Sequence, residues 1–374
     1  MENNENERQI PEDLIIQHIL PRLPVKQLVQ SKLVCKECNS SISSSNFTLH
    51  YTKQPLISHP SFPVQSLFVQ YDNTFYLYSC ENDDNAQNNL VKLDVDFSLN
   101  SGENIELVGC SNGLVCLAEM YGKFFFLYNP ATSESHKFYS GDFQILGTNH
   151  TNWGFGYDSI NDDFKVVRIM SNGETHTVDV YSLKSNVWRK VDFGVERGVL
   201  FGEPSLVSDT LYWTMFNMFN MGDRTKVVAF DLVRETFEMY PHLVFCSPGH
   251  GVLCVMGGCL AKCSSNPRNE AVFEIVTNPG KVVSVCFECD LKINPRDKLV
   301  GFTKTGKVLI AHTHRGMIGL LDRGSKQTLM KFGGQMRTSI EKYVPSQISP
   351  LPLSEFPNIP AEGTWADLPL PRGL

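Results

Sequence analysis

The sequence contains no run of about 18 consecutive apolar residues, the length that a membrane-spanning helix requires. It also lacks a basic excess, because 33 Lys and Arg residues stand against 40 Asp and Glu residues, for a formal net charge of −7. The N-terminal stretch MENNENER has no apolar core, so we expect no signal peptide. These absences predict a protein of the cytoplasm or nucleus that binds neither membranes nor, as its main function, nucleic acids.

The chain also lacks the features of a disulfide-stabilised protein. The chain has an odd number of cysteines, 11. Its 374 residues are also enough to bury a core without covalent cross-links. Apolar residues at 42% and charged residues at 20% are typical of globular domains. The length predicts two domains, or one small domain followed by one large repeat fold.

The N-terminal part of the chain has helical patterning. Residues 1–9 are polar and we expect them to be disordered, whereas residues 10–54 predict three short helices. Pro11 and the acidic pair after it suit the first turn of a helix, and Pro21 ends the run. Because three short helices bury little surface alone, this segment is expected to be completed by a partner.

The chain changes character after about residue 60, where short strands alternate with turn residues. Five hairpin turns recur 48 or 49 residues apart, centred near Gly113, Asn161, Thr210, Gly258 and Gly306. A period near 50 with four strands per unit predicts a kelch-like β-propeller, here with six blades. The overall fold class is therefore α+β and multidomain. The alternative is a large β-sandwich or two tandem β-domains.

The predicted propeller has defined limits in the sequence. It spans residues 62–348, with residues 341–348 (EKYVPSQI) as the strand that closes the ring. Residues 349–374 are rich in proline, so we expect a tail without regular structure.

Catalytic motifs are scarce. The stretch from Gly109 to Gly113 matches the G-x-S-x-G pattern of hydrolases, with Ser111 at the position of the nucleophile. That motif requires a strand-to-helix turn, whereas Asn112-Gly113 indicates a hairpin between two strands. No glycine-rich phosphate loop lies between a strand and a helix. We therefore predict a protein that is not an enzyme, with a hydrolase using Ser111 as a remote alternative.

Several residues have spacings that could suit a metal ion, namely Cys35 with Cys38, Cys259 with Cys263, Cys286 with Cys289, and His312 with His314. Zinc requires four convergent ligands, and strand alternation directs Cys286 and Cys289 to opposite faces. We therefore expect no metal and no cofactor.

Two parts of the sequence resemble one family. Residues 10–14 (IPEDL), residues 19–26 (ILPRLPVK) and residues 34–36 (VCK) resemble an F-box, the adaptor-binding module of SCF-type ubiquitin ligases. The β-rich part is similar to the F-box-associated region of plant F-box/kelch-repeat and S-locus F-box proteins. That similarity rests on motifs such as GCSNGLVC at 109–116 and YNPAT at 128–132.

The resemblance implies a function and a set of contacts. It implies the substrate-recognition subunit of an SCF (Skp–cullin–F-box) ligase, whose helices bind a Skp-type adaptor and, through it, a cullin. The implied adaptor contacts are Pro11, Leu14, Leu20, Leu23, Pro24, Leu28, Val34 and Lys36. Alternatively, Leu14, Leu28 and Val34 mainly hold the three helices together. Cys38 stands where the family commonly has tryptophan, which keeps open a scaffold protein without ubiquitination activity.

The resemblance also implies that the β-domain captures a protein substrate. Substrate surfaces of propellers are built from loops, and the candidate loops are residues 217–223 (NMFNMGD) and residues 82–89 (NDDNAQNN). Met218, Phe219 and Met221 in the first of these loops are the candidate substrate contacts. The alternative is that these three side chains fold back onto their own blade.

Overall fold

The structure is a computed structural model that describes most of the chain between residues 14 and 351. The described residues are 14–20, 23, 25–43, 47, 66–80, 90–95, 97–99, 103–119, 123–139, 150–171, 175–195, 198–216, 225–245, 251–256, 258–265, 271–277, 281–287, 297–302, 307–312, 317–322, 325–331, 338–346 and 348–351. The predicted disordered N-terminus, and most of the predicted tail, lie outside them.

Among the described residues, three short helical segments lie near the N-terminus. They are the π-helical turn α1 (Ile15–Ile19) and the α-helices α2 (Val25–Ser31) and α3 (Lys36–Ser43). Leu20, Leu28 and Ile42 are buried together where the segments meet. Ala131, from the β-domain, packs against the same cluster, so the helical segments rest on the β-domain.

The rest of the described residues form six four-stranded antiparallel sheets. Blade 1 contains β1 (Ser66–Tyr71), β2 (Thr74–Ser79), β3 (Leu90–Lys92) and the last strand β24 (Thr338–Tyr343). Blade 2 contains β4 (Ile105–Ser111), β5 (Leu114–Glu119), β6 (Phe124–Asn129) and β7 (Glu134–Tyr139). Blade 3 contains β8 (His150–Asp158), β9 (Asp163–Ser171), β10 (His176–Ser182) and β11 (Val187–Val191). Blade 4 contains β12 (Val199–Val207), β13 (Thr210–Phe216), β14 (Thr225–Asp231) and β15 (Thr236–Phe245). Blade 5 contains β16 (Val252–Met256), β17 (Cys259–Ser265), β18 (Ala271–Thr277) and β19 (Lys281–Phe287). Blade 6 contains β20 (Asp297–Phe302), β21 (Val308–His312), β22 (Met317–Asp322) and β23 (Ser325–Lys331).

The sheets close into a ring around a central channel. One edge strand of each sheet (β24, β4, β8, β12, β16 and β20) contacts the corresponding strands of both neighbouring sheets. The predicted six-bladed β-propeller is therefore confirmed, and the β-sandwich alternative is wrong.

Ring closure pairs β24 with β1, so the C-terminal strand becomes the innermost strand of blade 1. This strand ends at Tyr343, two residues before Pro345, which has no N–H to offer a strand partner.

Burial follows the position of each strand within its blade. All six residues of β5 and of β6 are buried, because neighbouring blades cover both faces of each sheet. Three of the six residues of the outermost strand β7 are exposed, whereas Phe138 reaches inward to stack on Phe125 at 4.9 Å. Apolar clusters between neighbouring blades thus replace a single central core.

The chain continues past β24 as an extension, described at residues 344–346 and 348–351, that contacts blade 2. Asn129, at the end of β6, is fully buried and donates its side-chain N–H groups to the carbonyls of Ser346 at 3.0 Å and Ile348 at 2.8 Å. Its Oδ1 accepts the N–H of Ala131 at 2.9 Å. One asparagine therefore stabilises its own turn and anchors the C-terminal extension.

Gly113 lies in close contact with the same extension. Its φ is +84°, and a Cβ at this position would lie 2.0 Å from Ser346 Oγ. We expect Gly113→Ala to lower the free energy of unfolding by more than about 1 kcal/mol, because alanine is strained at positive φ and displaces Ser346. Urea unfolding measures the loss. Gly194→Ala is the control, because Gly194 also has positive φ but no atom lies within 4 Å of a Cβ built there. An equal loss of unfolding free energy in the two variants would exclude the clash with Ser346 as the cause.

The two ends of the propeller carry different connections. Counting the strands of each blade outward from the channel, we call upper face the end where the second strand leads to the third, and lower face the opposite end. The described chain enters β1 at the lower face, and the turn that contains Ala131 also lies there. The helical segments therefore rest on the lower face, whereas the connection from β13 to β14 is made at the upper face.

Candidate functional site

The described adaptor candidates fall into a buried and an exposed group. Leu20 and Leu28 are buried in the helical cluster, and Leu23 packs against it. Leu14, Val34 and Lys36 are exposed, with exposed fractions of 46% for Leu14 and 76% for Val34. Pro11 and Pro24 lie outside the described residues. The buried leucines thus hold the segments together, and the exposed side chains are available to another molecule.

The structure adds two apolar residues that sequence reasoning missed. Leu33 is 89% exposed beside Val34 in the turn between α2 and α3, and Ile19 is 41% exposed on α1. Two adjacent large apolar side chains in an exposed turn are unusual for a surface that faces only water. In the sequence, the adjacent residues Leu33 and Val34 are the signal for this surface, but helical periodicity alone assigns them to a buried face.

Cys35 and Cys38 have a structural role in the described helices. Cys35 Sγ accepts the backbone N–H of Cys38 at 3.2 Å, as an N-cap residue does at the start of a helix. Cys38 packs against the cluster of Leu20, Leu28 and Ile42. The spacing of the two cysteines therefore matches the first turn of α3.

The structure describes the other metal candidates only in part. Cys263 is buried in an apolar cluster of blades 5 and 6, where it packs as a small apolar side chain. Cys289, His314 and the side chains of Cys286 and His312 lie outside the described residues. Within the part of the chain that the structure describes, no group of three or more His, Cys, Asp or Glu side chains is placed to hold a metal ion.

Ser111 is the last residue of β4, and the turn Asn112-Gly113 leads directly into β5. Both turn residues have positive φ, +45° and +84°, as a two-residue hairpin requires. A nucleophile elbow needs a helix after the serine, and a strand occupies that place here. The hydrolase alternative therefore finds no support in this geometry.

Met218, Phe219 and Met221 lie outside the described residues. The strand ends that flank their loop are Phe216 and Thr225, both at the upper face. The predicted substrate loop is thus attached to the face opposite the helical segments.

The innermost strand of blade 4 has a bulge close to this loop. Phe201 pairs with Thr214 and Ser205 pairs with Tyr212, so the inner strand has two more residues than its partner over this interval. Phe201, Gly202 and Glu203 are all exposed, and Gly202 has a φ of +78°. Gly202 and Pro204 within one strand are the sequence signal for such a bulge.

Charged side chains from three blades meet in the channel. Lys298 of blade 6 donates to Glu203 Oε2 of blade 4 at 2.6 Å, and it also donates to Glu341 Oε1 of blade 1. Blade 5 separates blade 4 from blade 6 in the ring, so the bond between Lys298 and Glu203 crosses the channel.

Burial and charge act in opposite directions on this triad. Burial alone would lower the pKa of Lys298, but the carboxylates of Glu203 and Glu341 outweigh burial and raise it. Burial raises the pKa of Glu341 above its ordinary range, although Lys298 opposes the increase. Lys298 therefore stays protonated and holds the two carboxylates together.

The comparisons with known proteins identify the family. Residues 64–314 match the family described as the F-box associated beta propeller domain. The chain is 28% identical over 264 residues to the F-box/kelch-repeat protein At3g23880 of Arabidopsis thaliana, covering 67% of this chain and 70% of that protein. It is 27% identical over 257 residues to the F-box protein CPR1 of Arabidopsis thaliana, covering 62% and 59%.

The chain therefore belongs to the F-box proteins with an F-box-associated β-propeller domain, and the predicted family is confirmed. Among solved structures it is similar to TolB from Acinetobacter baumannii, with a TM-score of 0.45 and 10% identity over 83% of this chain and 73% of that one. That similarity is too low to say anything about function. No helix among the described residues is long and apolar enough to cross a membrane.

Proposed function

We propose that this chain is the substrate-recognition subunit of an SCF-type ubiquitin ligase. Its N-terminal helical segments bind a Skp-type adaptor and through it a cullin, and its propeller captures a protein substrate for ubiquitination. The observation that carries the proposal is the exposed Leu33–Val34 pair in the turn between α2 and α3, which precede a propeller of the F-box-associated family. The chain itself performs no covalent chemistry, and it acts in the cytoplasm or nucleus.

The placement of the parts supports this division of labour. The helical segments rest on the lower face, and the strand ends that flank the predicted substrate loop lie on the upper face. A substrate at the upper face would leave Leu33 and Val34 free for the adaptor. The buried group, Leu20 and Leu28, would then fix the shape of the surface that the adaptor meets.

Adaptor binding is tested by replacing one exposed residue. We expect Val34→Glu to weaken binding of the full chain to a Skp-type adaptor by about 2–4 kcal/mol, or about 30- to 700-fold, because a carboxylate would enter an apolar groove unpaired. The dissociation constant is measured by isothermal titration calorimetry. The matched control is Val187→Glu, since Val187 is 53% exposed on the outermost strand of blade 3. Equal binding by both variants would contradict the proposal.

A scaffold protein without ubiquitination activity is the second candidate. The observation that favours it is Cys38, which packs into the helical cluster with a smaller side chain than the tryptophan common in the family. A smaller contact area reduces the stability of the helical segments, and therefore adaptor affinity. Cullin recruitment separates the two candidates.

A further inference from the structure

We propose that the upper mouth of the central channel is a peptide-binding site whose ligand is an extended segment of another protein, carrying a lysine or arginine within two positions of a large apolar residue. This inference rests on the proposed function, because it names the chemistry of the substrate that the propeller captures. It is carried by the bulge in β12, by the charges that cross the channel, and by an aromatic pair of which Phe201 is exposed and Phe216 half-buried.

The bulge exposes side chains that a regular inner strand would cover. In a regular strand, alternate residues enter the apolar contacts between blades, as the pattern of β13 illustrates. In β12, three consecutive residues from Phe201 to Glu203 are exposed instead. Bulges are common beside binding sites because they redirect side chains. Nothing lies within 4 Å of a Cβ built on Gly202, so the backbone there is open to a ligand.

The charges at this site favour a cationic ligand. Lys298 neutralises one of the two carboxylates that it contacts, so the triad with Glu203 and Glu341 has a net charge of −1. Glu341 is half-buried, whereas the side chain of Glu203 is 40% exposed. Glu203 bonds Lys298 through Oε2, and its exposed carboxylate can accept a second donor. An ammonium or guanidinium group complements that charge and geometry.

The apolar part of the site lies next to this carboxylate. Phe201 is 44% exposed, and its ring lies 6.4 Å from that of Phe216 in an edge-to-face arrangement. Phe201 and Glu203 are two positions apart, so their Cα atoms are separated by at most about 7 Å. Next-nearest residues of an extended peptide share a face and are separated by a similar distance. A basic side chain that binds Glu203 thus places the apolar side chain two positions away near the two rings.

The site can be tested with random linear peptides displayed on phage and selected on the full-length protein. We expect enriched peptides to carry Lys or Arg within two positions of Leu, Ile, Met or an aromatic residue. A synthetic copy of the most enriched peptide should bind Glu203→Gln about tenfold more weakly, because this change removes the net charge of the triad. Phe201→Ser should also weaken binding, and fluorescence anisotropy measures both effects.

The matched control is Glu274→Gln, which makes the same substitution in the Lys262–Glu274 pair of blade 5. Glu274 lies on the third strand of its blade, away from the innermost strands, so peptide affinity should be unchanged. The proposal is overturned if no peptide is enriched, if enriched peptides lack a basic residue, or if Glu203→Gln binds as the wild type does. Adaptor binding in the same preparation reports separately on the proposed function.

Discussion

Replacing Lys165 with methionine is expected to lower the free energy of unfolding by about 3–5 kcal/mol. Lys165 is buried, and its Nζ lies 2.7 Å from Asp158 Oδ2 and 2.8 Å from Glu235 Oε1. It also donates to the carbonyl of Leu232 in blade 4. Methionine would fill a similar volume but would leave the buried carboxylate of Asp158 without its cation, and removing one partner of a buried ion pair is strongly destabilising.

The loss should depend on pH in a defined direction. Burial raises the pKa of Asp158, but hydrogen bonds from Lys165 and Asn161 outweigh it, so the pKa lies below the ordinary value of 3.8. Glu235 likewise has a lowered pKa, because Arg189 and Lys165 outweigh its burial. A carboxyl with a lowered folded-state pKa contributes stability above its unfolded pKa, and this stability is lost as pH falls through the folded value.

In Lys165→Met the same carboxyls lose a cation, so their pKa values rise and protonation relieves the unpaired charge. The difference in stability between wild type and variant should therefore be largest near pH 7 and decrease as pH falls through the raised values. Urea unfolding at a series of pH values measures this difference. Lys190→Met is the control, since Lys190 is exposed on β11, and should change stability by less than about 0.5 kcal/mol. A pH-independent loss would contradict the assignment to these ion pairs.

The second large effect is expected for Asn129→Asp, at about 3 kcal/mol. The remaining Oδ1 would still accept the N–H of Ala131, but the second carboxylate oxygen would replace the amide that donates to Ser346 and Ile348. A fully buried carboxylate would then face two carbonyl oxygens, which repel it. Residues 344–351 should detach from blade 2.

The detachment is measured by hydrogen–deuterium exchange of the peptides that cover residues 344–351, together with urea unfolding. The matched control is Asp231→Asn at the equivalent end of the third strand in blade 4. Asp231 Oδ1 accepts the N–H groups of Val233 and Arg234, and asparagine keeps that acceptor. If Asn129→Asp exchanges as slowly as wild type, the extension is not held by this side chain.

The repeat that defines the propeller could be predicted from sequence, because each blade carries its own turn residues. The predicted turn at Gly113 matches the structure, and the one at Thr210 is displaced by one or two residues from Ser208-Asp209. Turn chemistry acts between neighbours in sequence, and a single chain shows it directly. The predicted ring closure identified the right region but placed the strand a few residues too late, because the paired strand ends at Tyr343 and the carbonyls of Ser346 and Ile348 bond to Asn129 of blade 2 instead.

The candidate site could be predicted only in part. The apolar character of Val34 was visible, but its exposure depends on how three helices pack. Lys298, Glu203 and Glu341 come together from blades 6, 4 and 1, and no local pattern links positions so far apart in sequence. Side-chain pairs across a channel depend on the closed ring, so they follow from the fold and not from periodicity.

Recruitment of a cullin is the most direct test of the proposed role in an SCF-type ligase. Full-length protein, a Skp-type adaptor and a cullin are mixed, and the complex is analysed by size-exclusion chromatography with light scattering. We predict a 1:1:1 complex for wild type and for Val187→Glu, and its loss for Val34→Glu. A wild-type chain that binds the adaptor but leaves the cullin free would contradict the ligase role and favour a scaffold. A wild-type chain that elutes alone would contradict adaptor binding itself.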